Sequence, residues 1–164
     1  MKNLNSISDK ILDEKSLILK LKEWRGANKK IVFTNGVFDL LHLGHIDYLS
    51  KAKDCGDILF VGVNSDHSAK QLGKGSNRPI TDEKSRSMII AALEFVDALM
   101  LFDDDTPLEL IKIVQPDILV KGSDYKSQDI VGYDIVMAKG GSIKTIEFLP
   151  GYSTTSIEQK IKDC

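Results

Sequence analysis

Apolar residues alternate along the chain between helical and strand rhythms. Leu17, Ile18, Leu21 and Trp24 recur at helical spacing and Gly26 and Asn28 supply a stop, which predicts a helix from about Ser16 to Arg25 behind a loose arm. Lys30 to Thr34 is a short β-branched run closing on Asn35-Gly36, the pattern of a buried strand, and a helix is predicted to follow from about Gly44 to Cys55. The alternation continues with strand 58–63, helix 82–95, strand 98–101, helix 107–114, strand 118–120, helix 130–139 and strand 142–146. Pro107 suits a first helical turn, Gln115-Pro116 ends that helix, and Gly140-Gly141 ends the next. A last amphipathic helix, starting near Thr155, is expected to carry Ile157 and Ile161 inward.

Strands that alternate with helices in this way imply parallel pairing with helices on both faces. The expected fold class is therefore α/β, a Rossmann-like three-layer αβα sandwich with a roughly five-stranded parallel sheet. Residues 1–28 are read as an N-terminal arm and helix, and 29–164 as the main domain. The longest irregular stretch is Asn64 to Thr81, and a loop of that length in a compact domain is usually functional. In open α/β sheets ligands bind beyond the carboxyl ends of the strands, so chemistry is sought in the segments that follow each strand.

The 164 residues carry 22 Lys+Arg against 24 Asp+Glu, a net charge of −2, which lacks the basic excess of a nucleic-acid or anionic-membrane surface. The apolar stretches are far shorter than the roughly 18 residues of a membrane span or are broken by Glu94 and Asp97, and MKNLNSISDK has no secretory apolar core. A cytoplasmic protein with two reduced thiols, Cys55 and Cys164, is expected, with no redox role for either.

The most informative stretch is Thr34 to His45, joining the first strand to the next helix. Gly36 permits a tight turn, and His42 and His45 flank Gly44 where the helix begins, so two imidazoles and free backbone N–H groups meet the helix dipole at one spot. That spot suits an anion. A zinc site lacks a third ligand at suitable spacing, and His42 as a helix cap with His45 as a core residue is the other plain reading. Asp103-Asp104-Asp105 is read as acidic residues complementing a helix start, not as a metal cage, and no metal site is assigned.

His42-Leu43-Gly44-His45 after a strand and a Gly-Val-Phe-Asp turn resembles the HxGH signature of the nucleotidyltransferase α/β phosphodiesterase superfamily. Asn64-Ser65-Asp66, Arg78-Pro79, Arg86, Val120 to Tyr125 and Gly151-Tyr152-Ser153-Thr154-Thr155 continue the likeness from Lys29 onward. Within the superfamily the pattern is most similar to the adenylyltransferases of ADP-heptose biosynthesis. Glycerol-3-phosphate cytidylyltransferases carry Arg-Thr-Glu before the final Gly, where this chain has Phe148-Leu149-Pro150.

The resemblance implies transfer of AMP from ATP to D-glycero-β-D-manno-heptose 1-phosphate, with Mg²⁺ arriving on ATP. It implies catalytic roles for His42, His45, Lys74 and Arg86, with Lys70 and Arg78 as rivals of Lys74 for the phosphates. Nucleotide binding falls to Thr34, Asn35, Gly36, Phe38, Gly44, Lys121, Gly122, Asp124, Ser153, Thr154 and Thr155, and sugar-substrate binding to Asp39, Asn64, Asp66 and Arg78. A surface ion pair for Arg86, an N-cap for Ser153, and turn stabilisation for Asp39 and Asp66 are the structural alternatives. Expected partners are ATP and a sugar 1-phosphate, with a separate sugar kinase and phosphatase as pathway neighbours, no nucleic acid, no membrane, and a homo-oligomer, most simply a dimer. A cytidylyltransferase acting on glycerol 3-phosphate and a non-catalytic nucleotide-binding module are the alternatives in function.

Overall fold

Helices between successive strands force every strand to run the same way. The computed structural model describes residues 2–73, 78–123 and 127–163. Its strands β1 (Ile31–Gly36), β2 (Ile58–Asn64), β3 (Ala98–Phe102), β4 (Ile118–Gly122) and β5 (Ser142–Ile146) form one parallel sheet in the order β3-β2-β1-β4-β5. Ile31 lies level with Ile58 on one side of β1 and Val32 with Ile118 on the other. The chain thus leaves β1 in one direction for β2 and β3, then crosses back to β4 and β5. The strand order reverses between β1 and β4, and the crevice at their carboxyl ends is where such sheets bind ligands.

Alternate residues of the strands feed two cores. Phe33 and Phe60 point to one face, where they meet Leu17, Leu21 and Trp24 of α2 (Glu14–Gly26) and Leu110 and Ile111 of α6 (Leu108–Val114). Val32, Leu59 and Val61 point to the other, against Tyr48, Leu49 and Ala52 of α3 (Leu43–Lys53) and Ile90 of α5 (Glu83–Ala91). All seven residues of β2 are buried, so hydrophobic patterning sees a continuous run there rather than alternation.

The structure departs from the sequence expectations in five places, the first being α5, expected to run to residue 95 but ending at Ala91. The segment expected to be a loose arm contains α1 (Lys2–Ser8), and beyond it Leu12 N–H donates to Leu99 O while Leu99 N–H donates to Lys10 O, both at 2.8 Å, so the arm is tied to β3. The long irregular stretch contains α4 (Asp66–Gln71), capped by Ser65 and too short and polar to show a period. Helix α7 (Tyr133–Ala138) starts later than expected because Gly132 takes a φ of 90°. Helix α8 (Thr154–Lys162) buries no residue fully, and Ile161, expected to point inward, is 66% exposed. Among the described residues no helix is long and apolar enough to cross a membrane.

Leu17 is fully buried in α2. Leu17→Ala is expected to cost about 2–4 kcal/mol of stability by cavity formation, read as a lowered urea midpoint at unchanged slope. An unchanged midpoint would show that α2 contributes nothing to the sheet's stability.

Candidate active site

At the end of β1 the chain turns sharply. Phe38 (φ 53°) and Leu40 (φ 48°) both take the left-handed conformation that non-glycine residues avoid, so surrounding bonds must hold them there. A Cβ at Gly36 would lie 3.0 Å from the Phe38 ring, which folds back over the glycine. This double turn drives Asp39 inward, leaving it 5% exposed.

Two buried groups hold the turn. The Asp39 carboxylate accepts from Ile80 N–H (2.8 Å), Thr81 N–H (3.0 Å) and Thr81 Oγ1 (2.8 Å), and its backbone carbonyl accepts from Thr154 Oγ1 (2.7 Å). Burial works to raise its pKa, but those hydrogen bonds and the nearby Arg86 prevail and hold it below the ordinary carboxylate value. Arg86 is completely buried, and all three of its nitrogens are engaged: Nε with Thr81 O (3.0 Å), Nη1 with Val37 O (2.6 Å) and Nη2 with Asp66 Oδ1 (2.8 Å).

Beyond the turn, His42 takes the N-cap position of α3 without a side-chain capping bond. Its ring instead stacks on His45, with centroids 3.8 Å apart and planes 20° apart, while Phe38 meets His45 edge-on at 5.5 Å. A Cβ at Gly44 would lie 3.0 Å from the His42 ring and 3.2 Å from Tyr152 Cβ, so the missing side chain makes room for the stack. The Nδ1 atoms of both histidines are buried with no hydrogen-bond partner among the described residues. Burial, then the charge of His42, lowers the His45 pKa to about 4 against the opposing pull of Asp39, and burial lowers that of His42. Both rings are therefore neutral at pH 7, poised to bind an anion without a resident counter-charge.

A cleft of about 910 Å³ opens above this pair. Asn35, Gly36, Phe38, Asp39, Gly44 and Asn64 line it with the two histidines. On another wall, Lys121 Nζ donates to Asn35 Oδ1, and Gly122 follows it at the end of β4. On a third, Ser153 caps α8 by accepting from Ser156 N–H, beside Thr154 and Thr155, and Arg78 pairs with Glu158 at 2.7 Å. The cleft thus brings together most of the residues singled out from the sequence.

Three it does not. Arg86, expected to bind phosphate, stands behind the cleft, because every one of its nitrogens is committed to the loops around it. Asp66, expected to bind substrate, is its ion-pair partner and lies outside the lining. Thr34 is fully buried, its hydroxyl hydrogen-bonded to Tyr48 OH at 2.8 Å. Lys74, Asp124 and Cys164 lie outside the described residues. Sequence reasoning missed Asp105 as a lining residue, as well as Tyr48 and Phe148, whose rings are 5.9 Å apart. For Phe148 the signal was its place just before the Gly151 motif, in the triplet that sets this chain apart.

A family model described as cytidylyltransferase-like matches residues 33–160. Bifunctional proteins named HldE from Wolinella succinogenes and Campylobacter jejuni are 48% and 53% identical over 154 residues, 94% of this chain but 31% and 32% of theirs. The chain thus spans about a third of the length of these relatives. A crystal structure of a lipopolysaccharide core biosynthesis protein from Thermoplasma volcanium is 34% identical, with a TM-score of 0.60 over 74% of this chain and 97% of that one. Pantoate-beta-alanine ligase from Francisella tularensis, solved in complex with beta-gamma ATP and beta-alanine, shares the fold at 19% identity, with a TM-score of 0.61 over 93% of this chain and 76% of that one.

Because the folded state resists protonation of His45 that the unfolded chain accepts, stability is expected to fall as pH drops from 6.5 toward 4. Urea midpoints across that window test it, and His45→Asn is expected to flatten the dependence. An equally steep profile in the variant would place the titration elsewhere.

Proposed function

The chain belongs to the cytidylyltransferase-like family, and on that premise we propose that it transfers AMP from ATP to D-glycero-β-D-manno-heptose 1-phosphate, releasing pyrophosphate and forming ADP-heptose. The observation that carries the reading is the stacked, neutral, unpartnered histidine pair at the start of α3, on the floor of a cleft at the sheet's reversal point. The heptose acceptor is supported by the resemblance of the Asn35–Asp39, Lys121–Gly122 and Gly151–Thr155 segments to ADP-heptose adenylyltransferases, by the HldE relatives, and by the lipopolysaccharide core biosynthesis protein of T. volcanium.

An acceptor phosphate is already an oxyanion near neutral pH, so the attack needs no general base. Its oxygen forms a bond to the α-phosphorus of ATP, and the bond from that phosphorus to the β-bridging oxygen breaks, with the electron pair leaving on pyrophosphate. Catalysis is then positioning and charge stabilisation. His42 and His45 donate hydrogen bonds to the α-phosphate, backed by the N-terminal end of α3. Each starts neutral and becomes more basic as negative charge approaches, so protonation is favoured just when charge builds up. Ser153, Thr154 and Thr155, at the start of α8, hold the β- and γ-phosphates, and Lys121 takes the nucleotide's other side.

Arg86 and Asp39 act as positioning residues: they fix the turn that aims the histidines. Magnesium would arrive with the nucleotide, bound to its phosphates, and would there offset part of their charge. Among the described residues no group of three or more His, Cys, Asp or Glu forms a cage for it, though Asp105 and Asp129 line the cleft. A donor such as ATP fits the cytoplasmic setting read from the sequence.

Pyrophosphate release with Mg²⁺ is expected with ATP plus the heptose phosphate and not with CTP plus glycerol 3-phosphate; the reverse pattern would overturn the substrates while keeping the site. His42→Ala and His45→Ala are each expected to lower kcat by about 10²–10³ with little change in melting temperature. Full turnover in both variants would overturn the role of the pair.

A further inference from the structure

Arg78 and Lys121 are the two Lys or Arg side chains among the described residues that line the cleft. Arg78 uses a single nitrogen. Its Nη2 donates to Glu158 Oε2 at 2.7 Å and to Thr155 Oγ1 at 3.3 Å, while Nε and Nη1 have no partner among the described residues. The planar fork of the guanidinium, suited to two parallel bonds with an oxyanion, is thus half used by a carboxylate that reaches it through one oxygen. The side chains are 17% and 24% exposed, so their attraction is less screened than that of a surface pair. Glu158 and Thr155 both belong to α8, which buries no side chain fully and is tied to the β1 turn by the bond from Thr154 to Asp39 O.

A phosphate group brings up to two charges and several acceptor oxygens, and fills the fork more completely than one carboxylate oxygen does. We infer that Glu158 sets the phosphate affinity of the cleft: it holds Arg78 in the free protein, and a substrate phosphate must take Arg78 from it. The inference rests on the reading of the cleft as a phosphate-ester site and adds to it a competing anion built into the wall. Glu158 touches no reacting atom in this scheme. It acts through Arg78, so removing its charge improves binding, whereas losing a helix tie would impair it.

Calorimetric titration of the parent, Glu158→Gln, Arg78→Gln and the double variant tests this with three probes: α,β-methylene-ATP, D-glycero-β-D-manno-heptose 1-phosphate and inorganic pyrophosphate. Glu158→Gln is expected to tighten at least one probe by about 3–10-fold, Arg78→Gln to weaken the same probe by about tenfold or more, and the double variant to match Arg78→Gln. The probe that responds identifies whether the nucleotide or the acceptor phosphate takes Arg78. Unchanged or weaker binding of all probes in Glu158→Gln, or the same tightening when Arg78 is already gone, would overturn the inference. Tightening of pyrophosphate alone, with neither substrate bound by the parent, would sustain the Arg78–Glu158 exchange while overturning the proposed reaction. Melting temperatures of the four proteins separate a loosened α8 from a lost competitor.

Discussion

The geometry of the cleft depends on one buried guanidinium. Arg86 has no contact with water, and a charge removed from water is tolerated only when its donors are met, here by one carboxylate and two backbone carbonyls. Those partners belong to three different segments: Val37 in the turn after β1, Thr81 before α5, and Asp66 at the start of α4. Asp39 repeats the scheme with opposite charge, its carboxylate on residues 80–81 and its carbonyl on α8. Together the two residues tie the turn after β1 to the start of α4, to residues 80–81 and to the start of α8. They also hold the left-handed conformations at Phe38 and Leu40, which bring the chain round to the start of α3.

What this frame delivers is an unusual electrostatic state for the histidines. Burial keeps both rings neutral, the charge of His42 adds to that at His45, and their Nδ1 atoms have no partner among the described residues. Buried polar atoms without partners are uncommon in folded proteins and call for a reason. Under the proposed function that reason is an anion, since the same burial that discourages a proton in the free protein would strengthen hydrogen bonds from the rings to a phosphate once water is displaced.

Much of this was legible in the sequence. The strand order could not be read from periodicity, but parallel pairing could, because strands such as 58–63 carry continuous apolar runs and helices separate them. The meeting of His42 and His45 at the start of α3 was legible because they flank Gly44 where the helix begins; the steric reason for that glycine was not, and only the structure shows that a Cβ there would lie 3.0 Å from the His42 ring. Arg86 was misread because nothing in sequence spacing tells an arginine that reaches a ligand from one that reaches carbonyls 5 and 49 residues away. Thr34 was misread for a related reason: it ends a buried run, and its hydroxyl finds Tyr48 one turn into α3 rather than the cleft. The inward assignment of Ile161 failed because amphipathic spacing shows that a helix has an apolar stripe, not that a partner covers it.

The most direct test of this account is a crystal structure with α,β-methylene-ATP and magnesium bound. The expected result has the α-phosphate within about 3 Å of a ring nitrogen of His42 and of His45, with Arg86 still on Val37, Thr81 and Asp66. A nucleotide seated away from the histidines, or Arg86 swung out of its buried bonds to grip the phosphates, would contradict it.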